Sequence, residues 1–430
     1  MVIRWVLSAT IFFIYFSIMI DWSNYINRIN HFKATSTNVS KTITTFRRQQ
    51  TQYPLNCFNG GMTYTCPKDY YPTKLEQDQD SSTASTCPEY FKWIHEDLKP
   101  WKRTGITREM MERGRNVSYF RLVIKQGKAY AEMYVDSYET RDVLYPGNVP
   151  DLELLFETGD KPVVGKEHFQ GTPPPIFHYC GHKNAYDIVF PDWIFWGWIW
   201  ALLQNIDEGN KKIKWKDRLP YAFWKGNTWV SHKRNDLTKC NASDQHDSYA
   251  QIHPLLNHWD KEIAQGFQNT KLEDQCMHRY KIYVEGIAWS VKPIYYDFFT
   301  RSLVPRQHYW PISSNNQSMC NDIKYVVEWG NANPDKAEAI GKAGTNFIEE
   351  NLKMKFVYDY MFHLLTEYAR LFSFEPTIPA GAVEICSENL ACPKNGLWME
   401  YMVESMVKSP SDTHPCIMAS PYDENEGEVK

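Results

Sequence analysis

A chain of 430 residues is long enough for two ordinary domains and a substantial core. A net charge of only -4, with no long basic run, excludes a nucleic-acid surface as the organising feature, and no nucleic-acid partner is expected. Aromatic residues make up 15% of the chain, high for a soluble protein; most are expected in the core and a minority as ligand-stacking platforms.

The first element is apolar. After a tail, residues 1–4, the run WVLSATIFFIYFSIMI from Trp5 to Ile20 carries no charge until Asp21. It is slightly short for a spanning helix and longer than the apolar part of a typical signal peptide. No small-residue cleavage site follows, and Arg4 favours a cytoplasmic N-terminus. The sequence therefore predicts a signal anchor over 5–20, holding a single-pass type II protein whose body lies in the lumen of the endoplasmic reticulum or Golgi. A cleaved signal peptide is the competing reading. Four Asn-x-Ser sequons, at Asn38, Asn116, Asn241 and Asn316, mark N-glycosylation candidates in such a body. Ten cysteines without a CxxC pair point to disulfides rather than zinc or a thioredoxin motif, and their pairing is not deducible. No KDEL-type signal closes the chain.

Residues 21–86 read as a polar stem followed by a Cys-containing loop region. The folded body starts near Cys87. TREMMERGR predicts a short helix capped by Thr107, and YFRLVIKQGKAYAEMYV predicts a hairpin turning at Gln126-Gly127. Past Pro150 come the apolar runs DLELLF, YDIVF, YAFWKG and KIYVEG, the pattern of strands buried on both faces of a parallel sheet. Further on, Pro334 and Asp335 open one helix. A second carries Phe356, Tyr360, Phe362, Leu365 and Tyr368 at near-helical spacing. The mixture makes an α/β protein.

Two strand-end turns carry the candidate chemistry. YAFWKGN puts Lys225, Gly226 and Asn227 at a strand's C-terminal edge, where α/β folds bind phosphates. Glycine admits close backbone approach, its neighbours' N–H groups donate, and lysine neutralises charge. The motif is weak by itself, since a glycine and a lysine there are more often a plain turn. KIYVEGIAWS repeats the pattern with Gly286, Ala288 and Ser290. Cys276 and His278, just before it, read as packed or edge positions. After the hairpin, Asp136, Glu139 and Asp142 supply carboxylates able to take a proton from a hydroxyl, though each alone reads as solvated surface. Nucleophile-elbow, zincin and Walker motifs are absent.

Taken together, CPEYFKWIHEDLKPWKRTGIT, VPDLELLF, PPPIFHYCG, YDIVFPDWIFWGW, KWKDRLPYAFWKGN, DQCMHRYKIYVEGIAWS, VKPIYYDFFTRSLVPRQHYWPI and VYDYMFHLL resemble the Rumi-like protein O-glucosyltransferases. The likeness is closest to their plant branch and spans about Cys57 to Tyr422. The resemblance implies a GT-B architecture, two Rossmann-like domains facing across a cleft: an acceptor-side domain over 87–200, a donor domain over 201–375, and an extension over 376–430 that packs back. It implies an inverting transfer of glucose or xylose from a UDP-sugar to a hydroxyl of a protein or glycan, with no metal or other cofactor. Asp136 matches the family's catalytic base, Lys225, Gly226 and Asn227 its first donor-side turn, and Gly286, Ala288 and Ser290 its second. Asp78-Gln79-Asp80 imitates the metal motif of another glycosyltransferase class, but in a polar segment ahead of the fold.

Against that family pattern three segments are missing: between IAWS and VKPIYYDFF, after Val143, and near Trp198. The first gap would remove a helix, a strand and the helix N-terminus that holds the diphosphate. The alternative reading is therefore a catalytically impaired member, or a truncated splice product, acting as a lumenal binding protein.

Overall fold

The computed structural model describes residues 86–135, 149–169, 171–192, 195, 199–228, 231–242, 249–255, 271–284, 295–313, 318–386, 392–393 and 415–419. Nearly all belong to one compact unit, Thr65–Leu390 with Val407–Lys430; of the other, Met1–Tyr64 with Ala391–Met406, only Cys392 and Pro393 are described. Among the described residues no helix is long and apolar enough to cross a membrane, and the anchor expected over 5–20 lies outside them.

The body opens with α1 (Trp93–Asp97) and α2 (Arg108–Gly114). Helix α2 starts where its sequence indicates: Thr107 is extended, and its Oγ1 accepts from the Met110 amide at 3.3 Å. The expected hairpin follows as β1 (Phe120–Lys125) and β2 (Lys128–Met133). Its turn residues Gln126 and Gly127 both have positive φ (51° and 75°), the turn hand that matches strand twist. The Gln126 amide donates to Asp151 Oδ1 at 2.7 Å, which fixes the turn against the next strand.

β3 (Leu152–Phe156), β4 (Ile176–His178), the two-residue β5 (Gly181–His182) and β6 (Ile188–Val189) come next. A six-stranded sheet forms in the order Val383–Ile385, β2, β1, β3, β4, β6. DLELLF is buried along all of β3, as expected, but the sheet is mixed rather than parallel. The hairpin inserts β1 antiparallel to β3, while β3, β4 and β6 run parallel. Rings fill the space around it: Phe156 lies 5.0 Å from Phe120 and 5.3 Å from both Phe177 and Phe190, and Phe177 lies 4.8 Å from Tyr368. Each fully buried Phe contributes about 1.5–3 kcal/mol.

α3 (Ile199–Lys212) leads to a three-stranded parallel sheet, β8-β7-β9: β7 (Leu219–Gly226), β8 (Ala250–Pro254) and β9 (His278–Lys281). Here the expectation of strands buried on both faces is corrected. Only alternate residues of β7, Ala222 and Trp224, are buried; with Ala250 and Ile252 they pack on Met319, Ile323 and Val327 of α5 (Met319–Ala332). Leu237 of α4 (His232–Leu237) completes this core, and a disulfide from Cys240 to Cys320 ties it to α5. β9 ends at Lys281, short of Gly286; the Ile282 amide still donates to Phe223 O at 2.9 Å and Ile282 and Val284 pack against this core, while Tyr283 between them is 52% exposed. Among its described residues, VKPIYYDFF supplies β10 (Tyr295–Tyr296), paired with β5 rather than with β9.

α6 (Pro334–Asn351) has Pro334 in its first turn, and α7 (Met354–Ala369) returns to the first core through Val357, Tyr360, Met361, Leu364, Leu365 and Tyr368. Of the five residues expected at helical spacing, Tyr360, Leu365 and Tyr368 are buried, while Phe356, packed on this core, and Phe362 are half-buried. The chain then adds β11 (Val383–Ile385) beside β2, and Cys416 closes a disulfide with Cys87 across 329 residues. Cys386 and Cys392 are also disulfide-bonded, whereas Cys180 and Cys276 are buried free thiols.

One buried ion pair joins the body's opening to the segment after β10. Arg301 grips Asp97 through two bonds of 2.7 Å, between the rings of Trp93 (4.5 Å) and Tyr296 (4.3 Å). Nearby, Asp297 accepts from the Thr300 and Phe299 amides (3.1 and 3.3 Å), yet burial pushes its carboxyl up to about 6. The folded value lies above the unfolded one, so the folded state binds this proton more tightly between the two. The group's stabilising contribution is complete below about pH 4 and lost as pH rises through about 6. Urea midpoints measured across that window are expected to fall with pH, and less steeply for Asp297→Asn.

Candidate active site at two strand edges

Strand direction decides where the expected residues gather. β2 and β3 both run antiparallel to β1, and β4 and β6 run parallel to β3, so β2, β3, β4 and β6 all end at one edge, where β1 begins. Asp136 lies outside the described residues, but the chain leading to it is fixed there. The Val135 amide donates to Tyr119 O (2.9 Å), the Tyr119 amide to Phe156 O (2.6 Å), and the Glu157 amide to Phe177 O (3.0 Å). Ligand sites of α/β sheets form at such an edge.

The edge carries ionisable groups that sequence reasoning missed. Glu157, just after β3, and His178, ending β4, are 5% and 1% exposed, with Oε2 and Nε2 2.8 Å apart. Burial opposes a charge on His178, but its hydrogen bond with Cys180, with Glu157 and Asp187 close by, holds the imidazole up at about 10. Asp187 accepts from the Val163 and Val164 amides, both at 2.9 Å, so the loop leaving β3 is tied at those residues to the one that precedes β6. Glu157 directly after LELLF was the available signal: an acid ending an apolar run.

The second edge belongs to the parallel sheet. Gly226 ends β7, and an added Cβ there would stand 2.8 Å from the Trp224 ring, so the position admits only glycine without a shift. Lys225 sits half-buried opposite His253 of β8. Gly286, Ala288 and Ser290 lie outside the described residues, although the backbone two residues before Gly286 is described. Arg234 of α4 bridges the chain just past β7 and the chain past β9: Nη1 donates to Asn227 O at 3.4 Å and Nε to Val284 O at 3.3 Å, with the guanidinium 5.9 Å from the Trp224 ring. Burial lowers its affinity for a proton, Tyr283 opposing. The edge thus holds a glycine turn and two cations close to one strand end. Arg234 was missed, though SHKRNDL directly after the lysine-glycine turn is a visible basic cluster.

Cys276 and His278 are packed, as expected: both are buried, and His278 stacks on Phe223 at 4.5 Å with Nε2 2.7 Å from Gln251. Asn116 is exposed after α2; Asn241 is exposed beside Cys240, its Oδ1 accepting from the Ile252 amide at 2.9 Å. Asn38 and Asn316 lie outside the described residues.

A mixed α/β body with two strand edges, one acidic and one basic, is the class this geometry defines. The glycosyl transferase family 90 model matches residues 82–429, and the chain belongs to that family. Its relatives include the O-glucosyltransferase rumi of Drosophila melanogaster, 23% identical over 354 residues that cover 71% of this chain and 82% of that protein. Protein O-glucosyltransferase 1 of Homo sapiens is 22% identical over 362 residues, 73% and 88% of the two chains. Protein O-glucosyltransferase 2 of Danio rerio is 22% identical over 361 residues, 75% and 69%.

Proposed function

We propose that this protein transfers a sugar, glucose or xylose, from a UDP-sugar to a hydroxyl of a protein or glycan, with inversion and without a metal. The observation that carries the reading is Arg234 joining the ends of β7 and β9 beside Lys225 and Gly226, a cationic turn suited to a diphosphate. Its relatives' names, O-glucosyltransferases, support the same chemistry. In this reading the two sheets are the cores of two Rossmann-like domains in a GT-B arrangement, 87–200 and 201–375, with 376–430 as the extension. An anchor over 5–20 holds the body in the lumen of the endoplasmic reticulum or Golgi. Asp136 takes the proton from the acceptor hydroxyl as its oxygen attacks the anomeric carbon. The bond from that carbon to the UDP oxygen breaks, and Lys225, Arg234 and the Gly286–Ser290 amides meet the charge left on UDP.

One observation favours a second reading, a family member without donor binding. The segment after β9 that should extend the donor sheet instead forms β10 beside β5. The alignment to the Drosophila protein also runs over 354 positions while covering only 71% of this 430-residue chain, which supports internal deletions.

Titration calorimetry with UDP separates the two. Saturable binding is expected, weakened roughly 10- to 100-fold by Lys225→Ala and by Arg234→Ala, the effect of losing a charge-assisted hydrogen bond. No binding by the folded protein would establish the second reading.

A further inference from the structure

The disulfide between Cys87 and Cys416 has neighbours that a disulfide does not need. His363 and Asp359 stand one turn apart on α7 and share a face. Both meet Cys416: His363 Nε2 lies 2.8 Å from its carbonyl oxygen, and Asp359 Oδ2 accepts its amide at 3.1 Å. Both sulfurs and a ring nitrogen of His363 fall within 4.8 Å of one another. Asp359 is 1% exposed, and its other oxygen, Oδ1, has no hydrogen-bond partner. A disulfide is neutral, so the unpartnered Oδ1 beside it is buried at a cost that the one amide bond to Oδ2 offsets only in part. A soft divalent cation would take both sulfurs and the imidazole as ligands.

We propose that reduction of the Cys87–Cys416 bond turns this cluster into a zinc-type cation site. Cys87 Sγ, Cys416 Sγ and a ring nitrogen of His363 are its ligands, water completes the tetrahedron, and Asp359, which accepts the Cys416 amide, positions the Cys416 ligand. The chemistry balances in two steps. A dithiol gives two electrons and two protons to the disulfide and itself becomes a disulfide. The cation then displaces both thiol protons and binds two thiolates. Zn–S distances of about 2.3 Å place two tetrahedral sulfur ligands about 3.8 Å apart, inside the span of the existing cluster. The site keeps residues 87 and 416 joined under either condition, by a covalent bond when oxidised and by a cation when reduced.

The test uses the full chain, reduced anaerobically with a phosphine (which leaves as its oxide, taking oxygen from water), and Co2+ as the probe. Reduced protein is expected to gain tetrahedral ligand-field bands and a thiolate-to-cobalt charge-transfer band that are absent from Cys416→Ser treated identically. That difference removes the signal of other reduced cysteines. His363→Ala and Asp359→Asn retain the disulfide, so their oxidised forms check folding by circular dichroism. Once reduced, each should bind Co2+ about tenfold more weakly or worse. The proposal is overturned if reduced wild type and Cys416→Ser give the same spectra, or if His363→Ala binds as tightly as wild type.

Discussion

Replacing Glu153 by alanine should lower the free energy of unfolding by about 3–5 kcal/mol, the cost of stranding a buried charge. Glu153 is fully buried in β3 and serves as the shared acceptor of a small network. Oε2 accepts from Arg121 Nε (2.9 Å) and Nη2 and from Arg108 Nη1 (2.9 Å), while Oε1 accepts the Thr377 amide at 2.8 Å. Arg121 is itself 6% exposed, and its remaining acidic neighbours, Glu112 and Glu132, stand farther off at 3.3 and 3.9 Å. Removing the acid therefore leaves a guanidinium in the sheet without its main counter-charge. Glu153→Gln keeps the acceptor oxygen and should cost less. Replacing Glu153 and Arg121 together with apolar residues of similar volume should recover much of the loss. Urea unfolding of wild type, each of these two apolar replacements made singly, and the double replacement measures this as a double-mutant cycle. An alanine variant within about 1 kcal/mol of wild type would show that Glu112 and Glu132 suffice.

Asp136→Asn should reduce turnover by about 10²- to 10⁴-fold, the range for loss of a general base, and leave the dissociation constant for UDP unchanged. Asp136 follows β2, whose end is fastened to those of β3 and β4 through Tyr119 and Phe156, whereas the cationic turn belongs to the other sheet. Lys225→Ala should give the opposite pattern, weak UDP binding first. UDP release from UDP-glucose, measured beside calorimetry, separates the two effects. An Asp136→Asn protein that turns over at the wild-type rate would remove this residue from the role.

Features governed by adjacent residues were legible in the sequence. The Gln126-Gly127 turn, the Thr107 cap and the Pro334 helix start each depend on one or two residues with a strong conformational preference. Strand burial was harder. KIYVEG and YAFWKG look continuously apolar, yet β7 buries alternate positions because one of its faces meets α5 and the other does not. The antiparallel insertion of β1 was hidden for a related reason: DLELLF would be equally apolar beside a parallel neighbour. Of the candidate site, the glycine turn at Gly226 was readable from its own residues. Arg234, Glu157 and His178 were not, since their meaning depends on which strand ends share an edge, and sheet order sets that.

The bond between Cys87 and Cys416 also has a consequence in time. Synthesis runs from the N-terminus at about 5–20 residues per second, so the 329 residues between them take roughly 15–65 s to appear. Throughout that interval Cys87 has no correct partner, while Cys180 and Cys276 emerge well before Cys416. In the finished protein both of those thiols are buried, Cys180 in the turn between β4 and β5 and Cys276 against Ile206 of α3. Covering those thiols before residue 416 emerges would leave Cys87 fewer wrong partners, so the long-range crosslink favours a chain whose interior has already closed.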